Sequence, residues 1–191
     1  MTVNNLELLT NPAVLHFPKE DGTFIAHMQI IQREKDGVKQ ARQHVIKEYF
    51  IHSRAELLAK FQEMKDLADH FKARVYLNLN VKPAAKVFNN LMVMMANRLQ
   101  ANDFHKIDRL FTTALTTTKL PKNQRHWLID VDTKDQAVLE EVKQNVGKDV
   151  LVVDTVNGYH VITGPFNMLE FNRKFPGITV HKDNPTLLYA P

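Results

Sequence analysis

Cysteine is absent from the 191 residues of this sequence. That absence excludes disulfide bonds, cysteine-ligated zinc and thiol catalysis. No stretch reaches the roughly 18 uncharged apolar residues that a transmembrane helix needs, so no contact with a membrane is predicted. The opening residues MTVNNLELLTNP have neither the basic start nor the long apolar core of a secretory signal. The cytoplasm is therefore the expected location.

The motifs of several common enzyme classes are missing too. The sequence has no P-loop (GxxxxGKS or GxxxxGKT), no GxGxxG, no HExxH and no GxSxG, so those chemistries have no motif support. The excess of positive charge is small, with 25 Lys and Arg against 21 Asp and Glu. A net charge of +4 is compatible with a polyanionic partner but does not require one.

The first 120 residues predict an N-terminal α/β lobe. Thr23–Gln32 and His44–Ile51 read as two strands of a hairpin, with Lys35-Asp36-Gly37 at the turn. Ser53 and Glu56 then have the spacing of a capping box, and apolar residues follow them at helical spacing. This lobe, 1–120, is expected to pack on the rest of the chain.

Two further segments of this lobe carry expectations of their own. Residues 73–80 alternate between apolar and polar side chains, which predicts a half-buried strand. Arg74 and Tyr76 lie on its polar face, where they could line a groove, and Arg74 is a candidate nucleic-acid contact. The methionine-rich segment from Pro83 to about Gln100 predicts a helix of the hydrophobic core.

A polar seam, TTTKLPKNQR, runs from Thr116 to Arg125 and separates the lobe from residues 121–191. Its basic residues Lys119, Lys122 and Arg125 would suit a nucleic-acid backbone. A charged loop without any such role is the alternative interpretation.

The pattern after the seam is sharper. In order, it predicts a strand, a capped helix, a strand, a hairpin at Asn157-Gly158, a returning strand, a second capped helix and a last strand. The predicted segments are Trp127–Val131, the helix opened by Thr133 and Gln136, Asp149–Val153, Tyr159–Thr163, the helix opened by Asn167 and Glu170, and Ile178–His181. The order β-α-β-β-α-β is that of a ferredoxin-like or RRM-like fold, so the fold class is α/β (α+β). Both helices should cover one face of a four-stranded antiparallel sheet, with the first and third strands as neighbours.

Two aspartates on the first of these strands are the strongest candidates for chemistry. Asp130 and Asp132 share one strand face, opposite the apolar Ile129 and Val131. They should therefore point to the face that the helices leave open. Two carboxylates spaced in this way can hold a hard cation such as Mg²⁺ or Mn²⁺, and such cations stabilise the charge that develops in nucleotidyl transfer. Alternatively, the acids are only solvated near the start of the following helix.

A histidine on the third strand is expected beside these acids. His160, in NGYHVI, should neighbour Asp130 and could contact a phosphate oxygen of a nucleotide. The hairpin at Asn157-Gly158 would bring its backbone amides close. A half-buried histidine with satisfied hydrogen bonds is the alternative.

The acid-x-acid of LIDVD, followed by the histidine of NGYHVI, resembles the archaeo-eukaryotic primase (primase-polymerase) superfamily, particularly its small phage and plasmid members. The resemblance implies that Asp130 and Asp132 bind metal and that His160 contacts nucleotide phosphate. Gly158 falls where the family usually has serine or threonine. The third acid of the family would be Asp183, which could instead be a turn residue.

The resemblance further implies Mg²⁺ or Mn²⁺, a nucleotide triphosphate and single-stranded or primed nucleic acid as partners. Nucleotidyl transfer would follow when a 3′-hydroxyl attacks the α-phosphate. Lys182, next to Asp183, is a candidate phosphate contact, although it could be solvated surface.

Two functions of other classes remain open at this stage. One is a non-catalytic, RRM-like nucleic-acid-binding module, and the other is a phage accessory or inhibitor protein that acts by protein contact. RRM-like sheets usually stack bases on exposed aromatic side chains. The expected open face offers acids and a histidine instead, which favours a metal site.

Overall fold

In the part of the chain that the structure describes, two antiparallel sheets, of five and four strands, and six α-helices form the mixed α+β fold. A computed structural model describes residues 2–33, 44–147 and 150–191. The strands are β1 (Val3–Asn4), β2 (Phe24–Gln32), β3 (His44–Ile51), β4 (Arg74–Pro83), β5 (Trp127–Val131), β6 (Leu151–Asp154), β7 (Tyr159–Thr163), β8 (Thr179–His181) and β9 (Thr186–Ala190). The helices are α1 (Leu6–Leu9), α2 (Arg54–Phe71), α3 (Ala84–Gln100), α4 (Leu110–Thr117), α5 (Gln136–Val146) and α6 (Met168–Lys174).

The first sheet has the strand order β1-β9-β4-β2-β3. The predicted pairing of β2 with β3 is confirmed, while the turn predicted at Lys35-Asp36-Gly37 lies outside the described residues. Helix α2 begins as the capping box predicts, because the Ser53 hydroxyl accepts the backbone N–H of Glu56 at 3.1 Å. Apolar residues of α2 and of one sheet face form the largest core cluster.

Strand β4 is buried on both faces, and not half-buried as its alternation predicts. Its polar side chains Asn78, Asn80 and Lys82 are all buried. Asn80 explains how this is tolerated, since its amide donates to the His126 carbonyl at 3.0 Å and accepts the His126 N–H at 2.7 Å. The polar face of β4 is therefore covered by the chain that enters the second sheet.

Helix α3 is not the core helix that its composition predicts. Among its residues only Val87 is fully buried, while Phe88, Met92 and Leu99 are each more than half exposed. One side of the helix packs on α4, and the other faces solvent. Within the described ranges no helix, α3 included, is long and apolar enough to cross a membrane.

The second sheet has the strand order β6-β7-β5-β8, and all of its pairs are antiparallel. The predicted four-stranded sheet, with β5 beside β7, is confirmed. Helices α5 and α6 cover one face, where Leu139 and Phe171 pack on Ile129, Val131 and Val161. The predicted start of α6 at Asn167 is also confirmed, whereas α5 is capped by Asp135. The predicted beginning of β6 at Asp149 lies outside the described residues.

The β-α-β-β-α-β pattern alone predicts that the opposite face of this sheet is open. This prediction is wrong, because the face is covered by the first sheet. Val153 and Ile162 of that face belong to the same core cluster as residues of β4 and α2. Strand β9, which follows the second sheet, returns to the first sheet and pairs with β4 and β1. The two sheets therefore share a core, and the predicted site lies where they meet.

Candidate functional site

Asp130 and His160 face each other across strands β5 and β7. The two residues are cross-strand partners in the register, so the predicted neighbour relation is confirmed. The Asp130 Oδ1 atom lies 3.6 Å from His160 Nε2. That separation is longer than a hydrogen bond, so the two groups adjoin without bonding directly.

These residues line a small cleft at the junction of the two sheets, which we call the junction pocket. Its lining side chains are Arg33, Arg74, Tyr76, Asp130, Asp132, Thr155, Asn157, His160 and Leu187. The volume is about 40 Å³. A space of this size holds only a few small groups, so it suits a phosphate group or a cation with few waters. The body of a nucleotide would lie outside it.

The two acids differ in exposure. The Asp130 side chain is 33% exposed, whereas Asp132 lies just past the end of β5 and is exposed. In the part of the chain that the structure describes, no three acidic or histidine side chains are grouped as metal ligands. Mg²⁺ is commonly held by one or two carboxylates together with waters and substrate phosphates. The pair thus fits a cation that arrives with a phosphorylated ligand.

His160 is neutral, and its protonation is fixed by its surroundings. Burial, with Arg33 and His181 nearby, lowers its pKa to about 4. The backbone N–H of Leu187 donates to Nδ1 at 3.4 Å, and Nδ1 lies 2.9 Å from the Thr186 hydroxyl oxygen. Because Nδ1 accepts, the ring proton resides on Nε2, which faces Asp130. The histidine can therefore donate a hydrogen bond into the junction pocket without carrying charge.

Two arginines make this pocket suitable for anions. Arg74 was predicted to contact nucleic acid, and it lines the pocket at the first residue of β4. Sequence reasoning did not identify Arg33, which follows β2 directly. The register pairs Ile31 with Arg74, so the end of β2 and the start of β4 meet at the same edge. The Arg33 guanidinium also lies 5.0 Å from the centre of the Tyr76 ring, an arrangement that holds it in place.

Gly158 has a packing reason to be glycine. A Cβ atom at this position would lie 1.9 Å from the Val131 carbonyl oxygen. The Gly158 N–H donates to the Thr155 hydroxyl at 3.0 Å. This amide is therefore already engaged within the hairpin, although the sequence suggested that it would face a nucleotide. Thr155, which lines the junction pocket, is the hydroxyl-bearing residue at this turn.

Asp183 belongs to a different cluster. Its carboxylate forms an ion pair with Lys82 and accepts hydrogen bonds from the side-chain amides of Asn80 at 2.9 Å and Asn78 at 3.3 Å. Lys82 is buried and also donates to the Thr118 carbonyl at 2.8 Å. Asp183 does not line the junction pocket. Its predicted catalytic role stays a prediction, but its carboxylate is already neutralised by β4.

The other basic candidates also lie away from the junction pocket. The Lys182 ammonium lies 5.4 Å from the centre of the Trp127 ring, at the opposite end of β5 from Asp130. Lys119 and Lys122 are exposed, and Arg125 donates through Nε to the Leu120 carbonyl at 2.6 Å. Arg125 also lines a larger cavity of about 880 Å³. The predicted residues are thus divided between the junction pocket and the region around the beginning of β5.

Comparisons of the chain with protein-family models, with curated proteins and with solved structures gave no match.

Proposed function

We propose that the protein is a primase-polymerase-like nucleotidyltransferase, which binds a divalent cation and a nucleotide triphosphate at the junction pocket. One observation carries this proposal: two acids, two arginines and a neutral histidine line one small pocket. Acids beside arginines are what a metal–triphosphate complex requires, because it has both a cation and anionic oxygens. The four-stranded lobe would be ferredoxin-like or RRM-like in this interpretation.

Asp130 and Asp132 would hold the cation, Mg²⁺ or Mn²⁺. When bound, the cation supplies charge neutralisation at the phosphates during the transfer. Asp132 lies past the strand end and is exposed, so it can reach a ligand that approaches from solvent. Asp183 has no part in this arrangement, because Lys82 and two asparagines already bind its carboxylate.

The phosphates would be held by the arginines and by His160. Guanidinium groups bind phosphate oxygens through paired N–H donors, and Arg33 and Arg74 line the same pocket. The Nε2–H of His160 adds a neutral donor close to Asp130. A neutral donor suits this position, since it can bind a phosphate oxygen without competing with the cation for the carboxylates.

The reaction would join a nucleotide to a nucleic-acid 3′ end. The 3′-hydroxyl oxygen forms a bond to the α-phosphorus, the bond from that phosphorus to the bridging oxygen breaks, and pyrophosphate leaves with its electron pair. The hydroxyl proton goes to solvent. Since the pocket encloses only about 40 Å³, the base and sugar would lie in the cleft outside it, where a template strand can select the base.

Nucleotide binding without transfer is the alternative that the structure favours next. The engagement of Asp183 by Lys82 leaves two acids at the pocket, where the resembled family uses three. By contrast, base stacking on the sheet in the manner of an RRM is disfavoured, because Val153 and Ile162 of the relevant face are packed in the core.

The first test is thermal unfolding with Mn²⁺ and a nucleoside triphosphate. Ligand at 100 times its dissociation constant should stabilise the protein by about 2.7 kcal/mol. Asp130→Asn and Asp132→Asn should remove the Mn²⁺-dependent part, because a neutral amide is a poor ligand for a hard cation. Asp108→Asn is the matched control, since Asp108 is an exposed aspartate outside the pocket, and it should respond as wild type does.

The second test separates transfer from binding. Extension of a primed template with labelled nucleotide should require Mn²⁺ or Mg²⁺ and should be lost in both aspartate variants. A thermal shift without extension on any primed or unprimed template would favour the non-catalytic alternative. No shift at millimolar Mn²⁺ and nucleotide would contradict both forms of the proposal.

A further inference from the structure

A cavity of about 880 Å³ lies between the two sheets, and we call it the intersheet cavity. Leu79 and Val81 of β4 line it on one side, while Leu151 of β6 and Ile162 of β7 line it on the other. Among the described residues, none lines both this cavity and the junction pocket. The two are therefore separate spaces.

The size and the walls of the intersheet cavity are those of a ligand site. Leu79, Val81 and Ile162 belong to the core cluster that both sheets share. Val14 and Phe24 also line the cavity, and they pack against the same cluster while remaining only partly buried. Protein interiors leave few voids larger than a water molecule, whereas clefts that bind small organic ligands measure about 300–1,000 Å³. The apolar walls therefore fit a ligand with an apolar body, and they are mainly aliphatic.

Polar groups of the lining are concentrated in one segment. Asn123, Gln124, Arg125 and His126 are consecutive and all line the cavity, so these side chains lie where the chain enters β5. The sheets supply the apolar walls, and this segment supplies polar groups. A ligand with one polar group and one apolar body matches that division.

Arg125 gives the segment a positive charge. Among the described residues that line the cavity, none is an aspartate or a glutamate. Arg125 is half-buried, and its Nε donates to the Leu120 carbonyl at 2.6 Å, which fixes the guanidinium beside another lining residue. The described part of the chain gives its terminal amino groups no hydrogen-bond partner. Paired N–H donors of this kind bind carboxylates and phosphates.

His126 adds a hydrogen-bonding group without a second charge. Burial lowers the pKa of its imidazole, so the ring is neutral at pH 7. Within residues 123–126 the charge is therefore that of Arg125 alone. A carboxylate carries one negative charge, whereas a phosphate monoester carries about two at pH 7. The single arginine matches the carboxylate better.

We propose that the intersheet cavity binds a small organic acid, whose single carboxylate contacts Arg125 and whose aliphatic body lies between Leu79 and Leu151. Calorimetric titration with three probes of equal chain length tests the charge class: decanoate, decanol and decyltrimethylammonium. Decanoate should bind about tenfold more tightly than decanol, because the alcohol cannot form a charge-assisted pair with the guanidinium. Decyltrimethylammonium should not bind. Octanoate should bind more weakly than decanoate, since it buries fewer methylene groups.

Substitutions at Arg125 test the contact with the carboxylate. Arg125→Gln should lower the affinity for decanoate about tenfold and leave that for decanol unchanged. Arg125→Lys should restore part of the preference for decanoate, because it keeps the charge. Arg173→Gln is the matched control, since Arg173 is an exposed arginine of α6 outside the cavity, and it should bind decanoate as wild type does.

Filling the cavity tests the location of the apolar body. Leu151→Trp adds volume from β6, and Ala13→Trp does so from an exposed position of the lining, where folding is less at risk. Each variant that circular dichroism shows to be folded should bind decanoate about tenfold more weakly or less.

Three results would overturn the proposal. They are no binding of decanoate at about 1 mM, equal affinities for decanoate and decanol, and unchanged decanoate affinity in the folded tryptophan variants. Equal losses in Arg125→Gln and Arg173→Gln would overturn the contact with Arg125. Saturating Mg²⁺ and nucleoside triphosphate should not displace decanoate, so failure of nucleotide binding at the junction pocket would leave this inference intact.

Discussion

Asp130 and Asp183 are two aspartates of one lobe in contrasting environments. Asp183 is bound by Lys82, whose side chain is only 3% exposed, and by two asparagine amides on the same strand. Asp130 faces a neutral histidine in a pocket that also contains a second acid and two arginines. A buried cation dedicated to one carboxylate indicates a structural role, whereas a pocket that reaches solvent and combines both charge signs indicates ligand binding.

The two aspartates should differ most in how much each contributes to the free energy of unfolding. Asp183→Asn leaves the Lys82 ammonium buried without its counter-charge, and breaking one side of such a pair costs roughly 3–5 kcal/mol. Asp183 itself is 30% exposed, so we expect the lower end of that range. Urea unfolding at pH 7 measures the loss. Asp130→Asn should destabilise less, and the comparison fails if the two variants lose equal stability.

His160 should make the free energy of unfolding depend on pH, by an amount similar to the loss expected for Asp183→Asn. Its folded pKa of about 4 lies below the ordinary 6.5, so above pH 6.5 both folded and unfolded chains are neutral here. As the pH falls from 6.5 towards 4, the unfolded chain binds a proton that the folded one does not, and the free energy of unfolding decreases. The full loss is about 3 kcal/mol.

Unfolding free energies of wild type and His160→Gln between pH 7 and pH 4.5 test this. The variant should lose less stability on acidification. His27 and His126 also have pKa values lowered by burial, but they titrate in both proteins and cancel in the difference. Parallel curves for the two proteins would mean that folding does not lower the pKa of His160.

The smallest expected effect concerns nucleotide affinity. Arg33→Gln should weaken triphosphate binding about tenfold, or roughly 1.4 kcal/mol, because it removes a cation from the junction pocket. Lys182→Gln should have no effect, because Lys182 lies over Trp127 at the other end of β5. Titration of labelled nucleotide at constant ionic strength measures both. Equal losses of affinity in the two variants would indicate a general attraction between basic residues and the triphosphate, and not a specific site at the junction pocket.

The second sheet could be predicted from sequence because its signals are local. The hairpin at Asn157-Gly158, the cap at Asn167 and the alternation of β5 each depend on a few neighbouring residues, and together they define the strand order. The pairing of Asp130 with His160 follows from that order.

Long-range contacts could not be predicted in this way. Lys82 and Asp183 are 101 residues apart in sequence, and no local pattern joins them. Arg33 reaches the pocket only because the ends of β2 and β4 are paired. Composition also misplaced α3, because a methionine-rich sequence does not show which sides of the helix the rest of the chain will cover.

Strand β9 connects the two lobes, because it follows the second sheet in the chain and pairs within the first sheet. It lies between β1 and β4, so the first sheet lacks its second strand until all strands of the second sheet have been synthesised. During synthesis on the ribosome, β4 would remain an unpaired edge on that side while β5 to β8 are made. Residues 1–120 produced alone would lack this strand and expose the β4 edge, which is a template for aggregation. The junction pocket is consequently complete only when this final strand is present, because Thr186 and Leu187, which orient His160, belong to it.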